Sequence, residues 1–361
     1  ATFTRTLNSN SGNLVTLPSD EYIDYANETF NSRLLSAHVS DVAPKKLKSL
    51  FVEPLLSKVS QRKLDAAGKN GNTDLFIPLA KILSTHRAVI FLGNRDIGKT
   101  TLLHRICQLS LELCVGDMPP FGAYINLDVA GVTRAALVEA VVSFGGGAYR
   151  KSEILPLLER GEMAVCFDNV DQSNIKQFGA VKDFCSIYPR CRYYFKMLED
   201  VDYSLSASQV PRPSPDAEVF YFHPFGRKET RLLTQNWFCE SSDECAKRVD
   251  DILSLLGRLN VPRSPFLISA LLWIQEKGTQ FAPVNQAEIL DALIDGVMEK
   301  LSETKDRSRI DSTIKRHYLA ALAEHLHGTG VKRIPVLELE RFTVDYFESR
   351  GLPASTDRKS T

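Results

Sequence analysis

The chain has 361 residues, of which 43% are hydrophobic and 24% are charged, and its 44 Lys and Arg residues balance 44 Asp and Glu residues. This length allows two or three domains, and the composition is that of an ordinary globular protein. Balanced charge gives no indication of a nucleic-acid or acidic-membrane surface, and no apolar run is long enough to span a membrane.

The seven cysteines are scattered, odd in number and without paired Cys-x-x-Cys spacing. This pattern favours reduced, buried thiols over disulfides or a zinc site. No signal-peptide pattern is present. We therefore expect a cytoplasmic protein, and because the sequence starts at Ala1 rather than Met we expect a fragment of a longer chain.

The first 71 residues predict a hairpin, helices and a linker. Alternating polarity over residues 3–17 predicts two strands joined by a turn, which we expect to be the tail of an upstream effector domain. A helix then begins after Ser19, with an apolar stripe formed by Ile23, Ala26, Phe30 and Leu34. Residues 44–53 predict more helix, until Pro54, and residues 68–72 predict a linker.

A phosphate-binding loop is predicted at residues 93–100. The apolar run 88–92 predicts a buried strand, the pattern G-x-x-x-x-G-K-[ST] follows it directly, and a helical pattern comes next. Lys99 is expected to reach the β- and γ-phosphates, and the Thr100 hydroxyl is a Mg²⁺ ligand. The predicted nucleotide-binding residues are Gly93, Asn94, Arg95, Asp96, Ile97, Gly98, Lys99, Thr100 and Thr101.

A second buried strand, residues 163–167, runs into Asp168. Because ligands of open α/β sheets bind at the carboxyl edge, we expect Asp168 to hold Mg²⁺ beside Thr100. A strand and helix at residues 123–143 lie between the two motifs, which predicts a sheet of the additional-strand type. No N-K-x-D motif is found, and this favours ATP over GTP.

The strand 191–195 ends at Lys196, which could sense the γ-phosphate, although a surface lysine at a strand end fits the pattern equally well. Residues 218–222 predict a fifth strand. From about residue 226 the pattern changes to successive helices, at residues 227–239, 243–258, 265–276, 285–303, 310–327 and 337–349.

This pattern resembles the STAND class of P-loop NTPases, and within it the NACHT/AP-ATPase-like modules of innate-immune and bacterial anti-phage receptors. The resemblance is carried by the phosphate-binding loop, the acidic stretch 168–172, the strand 193–196 and the proline motif Val-Pro-Arg-Ser-Pro-Phe-Leu at residues 261–267. It implies a nucleotide-binding domain at 72–225, a small helical domain at 226–280 whose Pro265 contacts nucleotide, and a partial winged-helix domain at 281–361.

The resemblance also implies a function. ADP would hold a closed form and ATP an open one, which self-associates through the NTPase module when activated. An upstream effector and a downstream sensor would be needed in addition. The implied cofactors are ATP or ADP and Mg²⁺.

Three departures from the family pattern predict slow hydrolysis. Gln172 and Asn169 stand where relatives carry acidic residues, and Lys196 stands where an arginine is common. Asp171 is then expected to be the only nearby carboxylate able to polarise water. The predicted catalytic residues are Lys99, Asp168, Asp171 and Lys196.

Two other functions stay open. A turnover AAA-like ATPase or a P-loop kinase would use the same loop, but a ring ATPase should show an Arg finger, and none is evident. A winged helix could also read nucleic acid. The final predicted helix argues against this because it carries Glu338, Glu340, Asp345 and Glu348, which are unsuited to phosphate contacts.

Overall fold

The computed structural model describes most of the chain, in two compact units made by residues 1–286 and 287–361. The predicted linker at 68–72 and much of the predicted helix 285–303 lie outside the described residues. The described ranges are 5–8, 14–35, 45–66, 75–112, 118–199, 210–238, 242–276, 285, 287–292, 294–295, 312–330 and 334–351.

The predicted N-terminal hairpin and helix are confirmed. Strands β1 (Arg5–Asn8) and β2 (Leu14–Leu17) pair antiparallel, and helix α1 (Asp20–Ser32) follows. The Ser19 side chain caps α1 by accepting a hydrogen bond from the backbone of Tyr22. The predicted apolar stripe is confirmed, with Ala26 and Phe30 fully buried and Ile23 and Leu34 packed against the core. Tyr22 is also fully buried, and its hydroxyl donates to the Gly122 carbonyl at 3.0 Å.

The prediction of a helix over residues 44–53 is largely wrong. The described part of this stretch has only one helical turn, α2 (Leu47–Leu50), and an extended segment leads from it to the short strand β3 (Leu55–Ser57). The Glu53 carboxylate accepts a hydrogen bond from the Leu79 backbone at 2.5 Å. This contact belongs to the extended segment that replaces the predicted helix.

A six-stranded sheet forms the centre of the first unit. Besides β3, its strands are β4 (Ala88–Gly93), β5 (Phe121–Asn126), β6 (Met163–Asp168), β7 (Arg192–Leu198) and β8 (Glu218–His223). The strand order is β3-β8-β4-β7-β6-β5. All pairs are parallel except β3 with β8.

This order confirms the predicted fold class. Strand β7 lies between the phosphate-loop strand β4 and the acidic strand β6, which is the P-loop NTPase sheet of the additional-strand type. Every residue of β4 and β6 is buried, as the strands of a parallel sheet covered by helices should be. The helices of this core are α3 (Gln61–Ala66), α4 (Leu79–Thr85), α5 (Lys99–Leu111), α6 (Arg134–Phe144), α7 (Lys151–Arg160) and α8 (Ile175–Ile187).

Three predicted helices follow the sheet within the same unit. They are α9 (Arg227–Phe238), α10 (Ser242–Arg258) and α11 (Pro265–Glu276). Lys45 joins the segment before the sheet to these helices, since its ammonium donates to the Trp237 carbonyl and lies 3.5 Å from the Glu276 carboxylate. The Trp237 indole donates to the same carboxylate at 3.0 Å.

The second unit contains helices α12 (Ser312–Thr329) and α13 (Val336–Glu348), close to their predicted bounds. The two helices meet through aromatic contacts such as that of Tyr318 with Tyr346. Arg316 pairs with Asp291 and Asp295 at 2.5 and 2.7 Å. The winged-helix domain stays a prediction. Among the described helices, none combines the length and the apolar character needed to cross a membrane.

Candidate functional site

The phosphate-binding loop connects β4 to α5 at the carboxyl edge of the sheet. Its backbone turns through two left-handed positions, Asp96 at φ 61° and Gly98 at φ 90°. Gly98 caps α5, and its carbonyl accepts the first helical hydrogen bond from Leu102 at 2.9 Å. The unpaired N–H groups at the start of α5 therefore face this edge, where a phosphate would be stabilised.

Lys99 is 3% exposed and its ammonium is held inside the loop. It donates to the Gly93 carbonyl at 2.5 Å and to the Asn94 carbonyl. Burial, followed by the nearby charge of Lys196, lowers the pKa of Lys99 to about 8. A phosphate group would offer this buried cation an anionic partner in place of neutral carbonyls.

Thr100 and Asp168 meet across the sheet edge, as predicted for a shared Mg²⁺ site. The Thr100 hydroxyl donates to Asp168 Oδ2 at 2.9 Å. Tyr124, on the neighbouring strand β5, donates to the same oxygen at 2.6 Å. Burial and the Asp168 charge raise the pKa of Tyr124, so its hydroxyl stays a donor.

Lys196 belongs to this cluster and is not a surface lysine. Its ammonium lies 2.6 Å from Asp168 Oδ1. It also donates to the Thr100 hydroxyl at 2.9 Å and to Asn169 Oδ1 at 2.7 Å. Lys99, Thr100, Asp168 and Lys196 are therefore brought together from three different elements.

The donor set fits a magnesium ion. Mg²⁺ prefers oxygen ligands and is usually bound by one or two protein groups together with phosphates and waters. Thr100 supplies a hydroxyl oxygen and Asp168 a carboxylate that is 2% exposed. The two carboxylate oxygens of Asp168 face different groups: Oδ2 accepts from the Thr100 hydroxyl, and Oδ1 lies beside the Lys196 ammonium.

Pro265 lies against the loop, at the first position of α11. A Cβ built on Gly98 would lie 3.4 Å from Pro265 Cγ. The Phe225 backbone donates to the Arg263 carbonyl at 3.0 Å, which ties the end of β8 to the turn before α11. The helical segment therefore contacts the phosphate-binding loop at its most constrained residue.

The other predicted loop residues fall into two groups. Asn94, Arg95 and Asp96 are exposed, so their side chains are open to a ligand, whereas Ile97 is buried in the core. Thr101 is half-buried on α5.

Asp171 differs from expectation. Its carboxylate accepts hydrogen bonds from the Ser173 backbone at 2.9 Å and hydroxyl at 2.6 Å, and so is engaged in the turn before α8. It is not the only carboxylate near the site, because Asn169 donates to Asp128 Oδ2 at 2.8 Å. Asp128 follows β5, and the sequence reasoning missed it because strand adjacency, not sequence distance, brings it to Asn169.

A buried aromatic cluster behind Asp168 was also missed. His104 on α5 stacks on Phe30 of α1 at a ring distance of 4.6 Å and meets Tyr124 edge-on at 4.5 Å. The Arg33 guanidinium lies 5.2 Å from the Tyr124 ring. Burial, followed by the Arg33 charge, lowers the pKa of His104 to about 3, so the imidazole is neutral. No local pattern signals these contacts, since they join residues far apart in sequence.

No family model matches the chain, and neither does any curated protein. Similar solved structures include C. elegans PCH-2, with 13% identity, 80% of this chain and 74% of that chain covered, and a TM-score of 0.36. A STAND protein with a tetratricopeptide repeat sensor from Pyrococcus horikoshii matches with 12% identity, 60% and 31% coverage, and a TM-score of 0.34. A Thermotoga maritima RuvB variant matches with 14% identity, 82% and 89% coverage, and a TM-score of 0.29.

These similarities are too low to assign a family or an activity. The strand order, the loop between β4 and α5, and the paired Thr100 and Asp168 identify the chain as having the P-loop NTPase fold.

Proposed function

We propose that the chain is an ATP- and ADP-binding regulatory module with slow ATP hydrolysis. One observation carries this proposal: Lys99, Thr100, Asp168 and Lys196 converge at the carboxyl edge of a P-loop sheet, which is where α/β proteins bind their ligands.

Each group has a role in phosphate binding. The backbone N–H groups at the start of α5 and the Lys99 ammonium would bind the β- and γ-phosphates. Thr100 and Asp168 would hold Mg²⁺, which when bound neutralises phosphate charge. The exposed Asn94, Arg95 and Asp96 side chains border this space.

Slow hydrolysis is supported by the carboxylates around the site. The position after Asp168 is an amide, Asn169, which cannot act as a general base. Asp171 is bonded to Ser173, and Asp128 is bonded to Asn169. Asp128 is exposed and is the stronger candidate for orienting the attacking water, because its bonded partner Asn169 also contacts Lys196.

A switching role is supported by Pro265, through which α11 touches the loop beside Gly98. A change of nucleotide could thereby alter the position of the helical segment. For a switch, ATP must bind the open state more tightly than the closed state, because equal affinity shifts no population. The open form would self-associate and signal through an upstream effector in a defence protein, after a downstream sensor detects its trigger.

Released nucleotide is the first test. The purified chain is denatured and its nucleotide is identified by chromatography, beside Lys99→Ala and the exposed control Lys182→Ala. We expect near-equimolar ADP or ATP from the wild type and the control, and none from Lys99→Ala. An empty protein that binds no added nucleotide would refute the proposal.

A second measurement addresses the switch. In the full-length protein with its trigger, ATP and ADP should give different oligomeric states by light scattering. Identical oligomeric states with ATP and ADP would refute the switching role. Rapid phosphate release by an initially empty protein would instead favour a turnover AAA-like ATPase, and salt-dependent DNA binding would favour a winged-helix regulator.

A further inference from the structure

The Lys196 ammonium is surrounded by oxygen atoms. Asp168 Oδ1 lies at 2.6 Å, Asn169 Oδ1 at 2.7 Å and the Thr100 hydroxyl at 2.9 Å. The ion pair between Lys196 and Asp168 is well shielded from water, since the Lys196 side chain is 15% exposed and the Asp168 side chain is 3% exposed. The ammonium thus occupies a built, partly buried cation site.

Two of these three oxygens belong to the residues that would hold Mg²⁺. An ammonium at hydrogen-bond distance from both leaves no room for a second cation coordinated to the same atoms, and two like charges this close repel strongly in a buried site. Mg²⁺ can therefore coordinate the Thr100 hydroxyl and Asp168 Oδ1 only after the ammonium moves away.

We propose that Lys196 is an internal cation that takes the place of Mg²⁺ in this site, so that the chain binds a nucleoside diphosphate without a metal ion. The inference rests on the proposed nucleotide-binding function. It differs from the sensing role suggested by the sequence, because here Lys196 competes with the metal rather than reading a phosphate beside it.

The charges around the site explain the preference for a diphosphate. Asp168 keeps a cationic partner whether Lys196 or Mg²⁺ is present, so its burial is compensated in both states. The displaced ammonium, however, needs a new anion. A triphosphate can supply the oxygens of its γ-phosphate. A diphosphate lacks this group and its β-phosphate would be held by Lys99 and the loop, so with ADP the Lys196 ammonium stays on Asp168.

Removing Lys196 should therefore expose the metal site. In Lys196→Met the Thr100 and Asp168 oxygens lose their resident cation, and Mn²⁺, used as a probe in the absence of nucleotide, should bind at least about tenfold more tightly than in the wild type. Free Mn²⁺ is measured by electron paramagnetic resonance. The exposed control Lys182→Met should match the wild type.

ADP affinity tests the same idea in the unaltered protein. In calorimetry, replacing Mg²⁺ with EDTA should change the affinity of the wild-type protein for ADP less than about threefold. In the Lys196→Met variant the same replacement should weaken ADP binding about tenfold or more. A wild-type protein that loses tenfold or more in EDTA would overturn the inference, as would unchanged Mn²⁺ affinity in a folded Lys196→Met.

These outcomes separate the two proposals. If the wild type binds no ADP under either condition, the nucleotide-binding function fails, while the Mn²⁺ titration still decides whether Lys196 blocks the metal site. Should Lys196→Met not fold, Lys196→Gln replaces it, and the comparison of wild-type ADP affinity with and without metal decides the inference alone.

Discussion

Substituting alanine for glycine should have opposite effects on stability at Gly98 and at Gly179. Gly98 has φ +90°, whereas Gly179 lies in the middle of α8, outside the left-handed region. An alanine at Gly98 must adopt a left-handed backbone, which costs about 1–2 kcal/mol. An alanine at Gly179 meets no atom within 4 Å and should stabilise α8 by about 0.5–1 kcal/mol.

Backbone strain rather than collision decides the sign at Gly98. The added Cβ would approach Pro265 Cγ to 3.4 Å, which is an ordinary van der Waals distance and adds little cost. Relaxing the strained backbone would turn the loop N–H groups away from the phosphate position. We therefore expect Gly98→Ala to lose nucleotide affinity as well as stability, and Gly179→Ala to keep its affinity.

Urea unfolding followed by circular dichroism measures both variants. The two free energies of unfolding should differ by about 1.5–3 kcal/mol, the sum of the loss at Gly98 and the gain at Gly179. Nucleotide affinity is measured on the same samples by calorimetry. A Gly98→Ala protein as stable as Gly179→Ala, with unaltered affinity, would refute the left-handed geometry of the loop.

Three further predictions concern the residues around Asp168. Because the pKa of His104 is lowered to about 3, the unfolded chain binds a proton below about pH 6.5 that the folded chain does not, and stability falls as pH falls from 6.5 by up to about 1.4 kcal/mol per unit. His104→Phe should reduce this fall in urea midpoints between pH 7 and 5, and an unchanged slope would exclude His104 as its source. Tyr124→Phe removes the 2.6 Å hydrogen bond to Asp168 and should lower the free energy of unfolding in urea by about 1.5–3 kcal/mol. An unchanged free energy would show that this hydrogen bond does not stabilise the fold. Asp128→Asn keeps an acceptor oxygen but should slow phosphate release about tenfold or more, and equal rates would remove Asp128 from the reaction.

The strand order was accessible from the sequence because each central strand is a continuous apolar run. The runs before the phosphate-binding loop and Asp168 read as strands buried on both faces. The strand and helix that lie between them in sequence predict that they are not neighbours, and the strand that separates them in the sheet is β7. The three-residue strand β3 was not accessible in this way. It is paired antiparallel to β8 at the edge, and it is too short to show a strand pattern of its own.

The site shows the same division between local and non-local information. Lys99 and Thr100 follow from a contiguous motif, and Asp168 follows from an acid at a strand end. Tyr124 and Asp128 depend instead on the parallel pairing of β5 with β6, in which Asn126 lies opposite Asp168. A tyrosine inside an apolar strand resembles any core aromatic until this pairing brings it to the Asp168 carboxylate.

Asn169 contacts Lys196, another of the residues that depart from the family pattern. Its backbone is left-handed, with φ 60°, a region that asparagine tolerates better than glutamate. Its amide donates to Asp128 and accepts from Lys196, so it links a carboxylate to an ammonium.

A glutamate at position 169 could not make the first of these bonds. It has no side-chain N–H group to donate, and its charge would repel the Asp128 carboxylate. The amide at 169, the acid at 128 and the lysine at 196 therefore form one interdependent set. Phosphate binding would be left to Lys99 and the N–H groups at the start of α5, while an amide stands at the position after Asp168 and the remaining acid, Asp128, is held by that amide. The proposed slow hydrolysis requires this combination.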